Sequence, residues 1–164
     1  MKIEDLMVNT VTFCEPAQNL AEVAELFWNH RRGSLPVLDD SGLVTSIITD
    51  RDICIALGTR NARASEIRVR DVVPARVFTC HPGDDPLSAL QTMVAQNVRR
   101  LPVVDEHDRL VGMLSIDDLI RRAALQLPGE AEFHAAVMRG MKAIRDARVP
   151  GAPHETGELL MAHA

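Results

Sequence analysis

The chain has 164 residues, 46% of them hydrophobic, enough for the core of one compact domain or of two small fused ones. Its 18 basic residues against 23 acidic leave a net charge of −5, which argues against nucleic acid as a main partner, because phosphate contacts need a basic surface. Three cysteines, Cys14, Cys54 and Cys80, without CxxC spacing argue against a disulfide framework or a zinc site and fit a reducing cytoplasm.

From the N-terminus, Lys2, Glu4 and Asp5 precede any apolar run, and nowhere do about 18 apolar residues follow one another, so neither export nor membrane insertion is expected. A short β-prone piece, VTF at 11–13, ends at Pro16. Leu20, Val23, Ala24, Phe27 and His30 then recur at helical steps, predicting an amphipathic helix. Two strands follow, LPVL at 35–38 and LVTSII at 43–48, joined by the turn-forming DDSG. A second helix starts at the hydroxyl-bearing TDRD, and the polar GTRNARASEIR at 58–68 reads as a linker.

The order is then repeated. Asp5 and Asp71, Cys14 and Cys80, Pro16 and Pro82, the tripeptides Leu35–Val37 and Leu101–Val103, and Asp52 and Asp118 all stand 66 residues apart without a gap. The second unit offers VFT at 77–79, a helix with Leu87, Leu90, Met93, Val94 and Asn97 on one face, the strands LPVV and LVGML, and a helix opening at SIDD. Beyond Ala123 the repeat stops, LPG at 127–129 breaks the chain, and Phe133, Val137, Met141 and Ile144 stripe an extra helix that covers its own module or meets a second subunit or an effector. The last stretch, PGAPHETGELLMAHA, reads as a mobile or loosely docked tail. The expected fold is mixed α/β (α+β), two β-α-β-β-α units plus a C-terminal helix, divided as 1–60, 61–126 and 127–164.

Thr49 with Asp52 and Ser115 with Asp118 have the form of capping boxes, in which the hydroxyl accepts from an orphan amide and the acid reaches back. The same helix starts offer amides and a positive dipole end to a phosphate, and the acids suit ribose hydroxyls. Arg99 and Arg100 stand just before LPVV, where Gly33 and Ser34 occupy the first unit, and Arg51 lies inside TDRD; guanidinium forks suit phosphate. Ile47 and Met113, two residues before each hydroxyl, are placed either to flank a purine or to pack the core, and Ser46 stands where the second unit has Gly112. Cys14 and Cys80 read as buried thiols, and the six histidines show neither metal-ligand spacing nor a partner set for nucleophilic catalysis, so no catalytic or metal residue is assigned.

LPVLDDSG followed by TDRD, and RRLPVVDEHDRLVGMLSIDDL, resemble the CBS domain, the module named after cystathionine β-synthase, over residues 3–123; the tandem is similar to a Bateman module. The resemblance implies two units about a pseudo-twofold axis, with clefts between them that bind an adenosine-containing ligand: AMP, ADP, ATP, NAD or S-adenosylmethionine. It further implies a homodimer and a non-catalytic, cytoplasmic regulatory role needing no cofactor, with ligand contacts from Ile47, Thr49, Arg51, Asp52, Arg99, Arg100, Met113, Ser115 and Asp118. Two unequal clefts are expected. The alternative is a ligand-free scaffold that recruits a partner enzyme through its dimer surface and extra helix. Single-stranded nucleic acid fits less well, given four Phe, one Trp and no Tyr.

Overall fold

The computed structural model describes residues 1–147; the expected tail, with His154 and His163, lies outside the described residues. Each repeat forms a helix, an antiparallel hairpin and a second helix. The first comprises α1 (Leu20–His30), β1 (Ser34–Leu38), β2 (Val44–Thr49) and α2 (Asp50–Arg60); the second comprises α3 (Pro86–Ala95), β3 (Arg100–Val104), β4 (Leu110–Ser115) and α4 (Ile116–Ala123). An extra helix, α5 (Ala131–Asp146), follows, and the fold is mixed α+β with two small sheets.

Local chemistry sets the helix starts. The Asn19 side chain accepts from the Ala21 and Glu22 amides at 3.0 Å, and Glu22 accepts from the Asn19 amide at 3.1 Å, a reciprocal cap worth about 1 kcal/mol. α1 buries Leu20, Val23 and Phe27, whereas Ala24 and His30, expected on the same stripe, are exposed on its flank. α3 begins at Pro86, whose fixed φ suits a first helical position. Its expected face narrows in the same way, for Asn97 lies past the helix end at φ 50°.

The hairpins keep the 66-residue relation pair by pair. Ser34 faces Thr49 and Pro36 faces Ile47 in the first, while Arg100 faces Ser115 and Pro102 faces Met113 in the second. Both carry an irregularity at the same place, between Val37 and Leu38 and between Val103 and Val104.

The β-prone pieces at 11–13 and 77–79 do not form strands. Each shrinks to one parallel bridge just beyond it, Cys14 with Val37 and Cys80 with Val103. Cys14 donates its N–H to the Pro36 carbonyl at 3.0 Å, and its own carbonyl accepts from Leu38 at 2.9 Å; Cys80 does the same with Pro102 and Val104. A parallel ladder extends by alternate N–H donations. The next donors would be Pro36 on one side and Pro16 on the other, or Pro102 and Pro82, and none has an N–H.

The cores are completed reciprocally. Ile3 is buried with Cys80, Leu90, Met93 and Leu101 in the second repeat, and Ile67 and Val69 are buried with Leu20, Val23 and Val37 in the first. The backbone repeats the exchange: Ile3 and Glu4 donate to the Asp84 and Pro82 carbonyls, and Val69 and Arg70 donate to those of Gln18 and Pro16. The expected linker is therefore partly core. α2 runs through Arg60, a 3-10 turn spans Ala64–Glu66, and Ile67 accepts from the Leu20 amide at 3.0 Å.

α5 packs on α3 and α4 of its own chain. It buries Phe133, Val137 and Ile144, each contributing about 1.5–3 kcal/mol. A Cβ on Gly140 would lie 2.7 Å from Leu90 Cδ1, so the glycine lets α5 approach α3 closely. Arg122 on α4 donates to Glu130 at 2.5 Å, tying the α4–α5 connection.

Candidate functional site

A cleft of about 290 Å³ lies between the repeats, at the small end of ligand pockets. The second repeat contributes Arg100, Met113, Ser115, Asp117, Asp118 and Arg121; the first contributes the segment from Arg31 to Pro36; and the N-terminal segment adds Val8, Thr10, Val11 and Thr12. The structure thus brings together four expected residues, Arg100, Met113, Ser115 and Asp118.

Both tetrapeptides form the capping boxes their spelling implies. The Ser115 hydroxyl donates to Asp118 Oδ2 at 2.5 Å and accepts from the Asp118 amide at 3.2 Å, while the Ser115 amide donates to the same Oδ2 at 2.9 Å. Asp118 is buried, and its Oδ1 accepts from Arg121 at 3.2 Å. The hydroxyl proton is committed to the carboxylate, so a ligand at this helix start must take over a bond already made. Thr49 and Asp52 reproduce the arrangement at 2.7, 3.2 and 2.8 Å at the start of α2.

Arg99 and Arg100 part company because successive strand residues face opposite ways. Arg100 is the cross-strand partner of Ser115 and lines the cleft. Arg99 turns to Asp117, with Nη2 to Oδ1 at 3.5 Å, beside a second cavity under Met141, Ile144 and Arg145 of α5. Ile47, Thr49, Arg51 and Asp52 sit together where β2 passes into α2 and do not line this cleft. Ser46 does not face it either: its buried hydroxyl donates to the Pro74 carbonyl at 2.8 Å.

Among the lining residues that the sequence reading passed over, two arginines of the first repeat matter most for its charge. Arg31 and Arg32 follow α1, with the Arg32 amide donating to the Phe27 carbonyl at 3.1 Å. The signal was legible in the letters: RRGSLPV and NVRRLPV each hold an arginine pair before LPV, displaced by two residues, and the gap-free alignment sets the first pair against Asn97 and Val98. Counted around the cleft, four arginines face two aspartates. Asp118 is paired to Arg121 and Asp117 to Arg99, whereas among the described residues Arg31, Arg32 and Arg100 form no ion pair. The cleft is positive in a chain whose net charge is −5.

The thiols behave as core. Burial, then the nearby acids Glu15 and Asp84, push Cys14 and Cys80 up to about 12, and each Sγ lies near a proline carbonyl, 3.9 Å for Cys14 and 3.8 Å for Cys80. Among the described residues no three or more His, Cys, Asp or Glu side chains are placed to hold a metal ion, and no helix is long and apolar enough to cross a membrane.

Comparison with known proteins gives this geometry its relatives. A family model described as CBS domain matches residues 3–59 and again 69–125. The CBS domain-containing protein YhcV of Bacillus subtilis is 32% identical over 117 residues, covering 71% of this chain and 81% of YhcV. The inosine-5'-monophosphate dehydrogenase of Methanocaldococcus jannaschii is 27% identical over 121 residues; the match takes in 74% of this chain but only 23% of that enzyme. Among solved structures, the CBS domain pair of protein MJ0100, in complex with 5'-methylthioadenosine and S-adenosyl-L-methionine, superposes with a TM-score of 0.70 at 23% identity, covering 77% of this chain and 98% of that one. With two family matches over most of its described length and the duplicated fold to go with them, the chain belongs to the CBS domain family as a tandem pair.

Proposed function

We propose that the chain is a non-catalytic regulatory module that binds an adenosine-containing ligand in the cleft between its CBS repeats and passes the occupancy on to a partner protein. The observation that carries this reading is the cleft itself: Arg31, Arg32 and Arg100, which form no ion pair among the described residues, line it together with the capped start of α4, whose hydroxyl and carboxylate suit phosphate and ribose. The adenosine compounds held by the MJ0100 pair support the ligand class, and the small share of the dehydrogenase that matches supports a role outside catalysis.

The division into units at 1–60, 61–126 and 127–164, the cytoplasmic location and the homodimer belong to the same proposal. Ile55 and Leu57 on α2, 49% and 37% exposed, offer apolar surface for a second copy. Signalling follows if the ligand binds one arrangement of the repeats more tightly than another. Trp28, 85% exposed on α1, favours as a second reading a scaffold whose partner covers that ring.

Thermal-shift measurements with AMP, ADP, ATP, NAD and S-adenosylmethionine test the main reading. A native-state ligand at a hundredfold excess over its dissociation constant stabilises by about 2.7 kcal/mol. A melting temperature indifferent to all five favours the scaffold.

A further inference from the structure

We infer that the ligand of this cleft carries at least two phosphates, and that Arg31 and Arg32 of the first repeat hold the phosphates farthest from the nucleoside. The inference rests on the adenosine-ligand reading above and narrows it.

A single phosphate is already provided for on one side of the cleft. Arg100 stands opposite Ser115 across the hairpin, next to the start of α4. Arg31 and Arg32 add two exposed guanidiniums from the other repeat, and the carboxylates nearby are occupied by Arg99 and Arg121. Three unpaired positive charges around so small a space repel one another until an anion of comparable charge enters. A nucleoside monophosphate falls short of that charge, a di- or triphosphate matches it, and the cationic sulfonium of S-adenosylmethionine is disfavoured.

Arg31 is the left-handed cap of α1, closed by the Arg32 amide on the Phe27 carbonyl at 3.1 Å. Arg31 has φ 50° and ψ 44°, left-handed values that cost a side chain of this kind roughly 1 kcal/mol. Its counterpart Asn97 adopts φ 50° with a residue type that tolerates it better than arginine does. A helix C-terminus favours a cation through its dipole, but that accounts equally for a lysine one residue earlier in ordinary helical geometry. Both arginines line the cleft.

The test is calorimetric titration of the full chain with adenosine, AMP, ADP, ATP and S-adenosylmethionine, applied to the parent, to the double variant Arg31→Gln with Arg32→Gln, to Arg31→Asn, and to Arg63→Gln as an exposed control. The parent is expected to bind ADP and ATP about tenfold or more tightly than AMP. The double variant should lose that preference while keeping its affinity for AMP and adenosine, and Arg63→Gln should match the parent. Arg31→Asn should melt slightly higher without ligand and yet bind ADP more weakly, a combination that a purely structural arginine does not produce. Equal affinity for AMP and ADP in the parent, or a preference that survives the double variant, overturns the inference and leaves the adenosine reading standing. Absence of binding by all five compounds overturns both.

Discussion

Val8 and Met113 exchange two backbone hydrogen bonds of 3.0 Å between the N-terminal segment and the second repeat, while their counterparts Pro74 and Ile47 form no such bridge. Pro74 has no N–H to give, and the Ser46 hydroxyl reaches its carbonyl instead. At the position matching Ser46, a Cβ on Gly112 would meet Met7 Sδ at 2.7 Å and the Val8 carbonyl oxygen at 3.2 Å. Each join thus needs its own residue. Ser46→Gly leaves the Pro74 carbonyl without that donor and should cost about 1–3 kcal/mol in chemical denaturation. Gly112→Ser should cost a similar amount, about 1–3 kcal/mol, by displacing Met7 and Val8. It should also weaken ligand binding, since Val8 lines the cleft. Retention of parental stability by both variants would remove this account of the asymmetry.

Arg99 and Arg100 are neighbours with different fates, and alanine at each separates them. Arg100→Ala should weaken nucleotide binding about tenfold or more, through loss of a charge-assisted contact. Arg99→Ala should leave affinity close to the parent's, because its side chain serves Asp117. Titration of a nucleotide into each variant checks the pair, and equal losses would place both guanidiniums on the ligand.

Cys54 is exposed and the other two thiols are buried, so a thiol reagent should label one cysteine quickly and two only on unfolding. Burial raises Cys14 and Cys80 from an ordinary value of 9.0 to about 12, so the fold holds the protonated form. That contribution is complete below the unfolded value, and it is lost as pH rises from 9.0 towards about 12, where the unfolded chain releases protons that the folded chain keeps. Denaturation midpoints should fall across this alkaline window, and replacing both cysteines by alanine should flatten the fall. Three equally fast thiols in the native protein would contradict the buried assignment.

Val137 is fully buried against the second core, so the extra helix serves its own chain along this stripe. Val137→Asp should destabilise the chain by about 3 kcal/mol or more, as an unpaired buried charge does. Ile55→Asp on α2 should leave the melting temperature nearly unchanged and, if α2 meets a second copy, halve the mass seen by light scattering. A folded, parent-like Val137→Asp protein would show that α5 is not part of this core.

Much of this architecture was legible because its signals are local. The 66-residue period, the hairpins around DDSG and DEHDR, and the capping boxes at Thr49 and Ser115 all depend on residues within a few positions of one another. The first strands were misjudged because β-propensity in VTF and VFT says nothing of partners, and Pro16, Pro36, Pro82 and Pro102 remove the donors a ladder needs. Periodicity marks Ile3 and Val69 as apolar but not which core receives them, and the reciprocal exchange emerges only in three dimensions. Arg31 and Arg32 were hidden by a two-residue displacement that a gap-free repeat cannot show.

The ligand-binding role of the Ser115–Asp118 corner is tested most directly by titrating ADP into the parent, Asp118→Asn and Asp52→Asn, with the unliganded melting temperature of each. An asparagine fills the same volume and still accepts a hydrogen bond, so a role confined to capping predicts a loss of at most about 1 kcal/mol in stability and unchanged affinity. A ribose contact in the cleft predicts instead that Asp118→Asn weakens ADP by roughly tenfold to a hundredfold while its melting temperature barely moves. Asp52, outside the cleft, should leave the strong site intact. If both variants bind ADP as tightly as the parent and melt lower, the two tetrapeptides are helix caps alone and the Ser115–Asp118 corner makes no ligand contact.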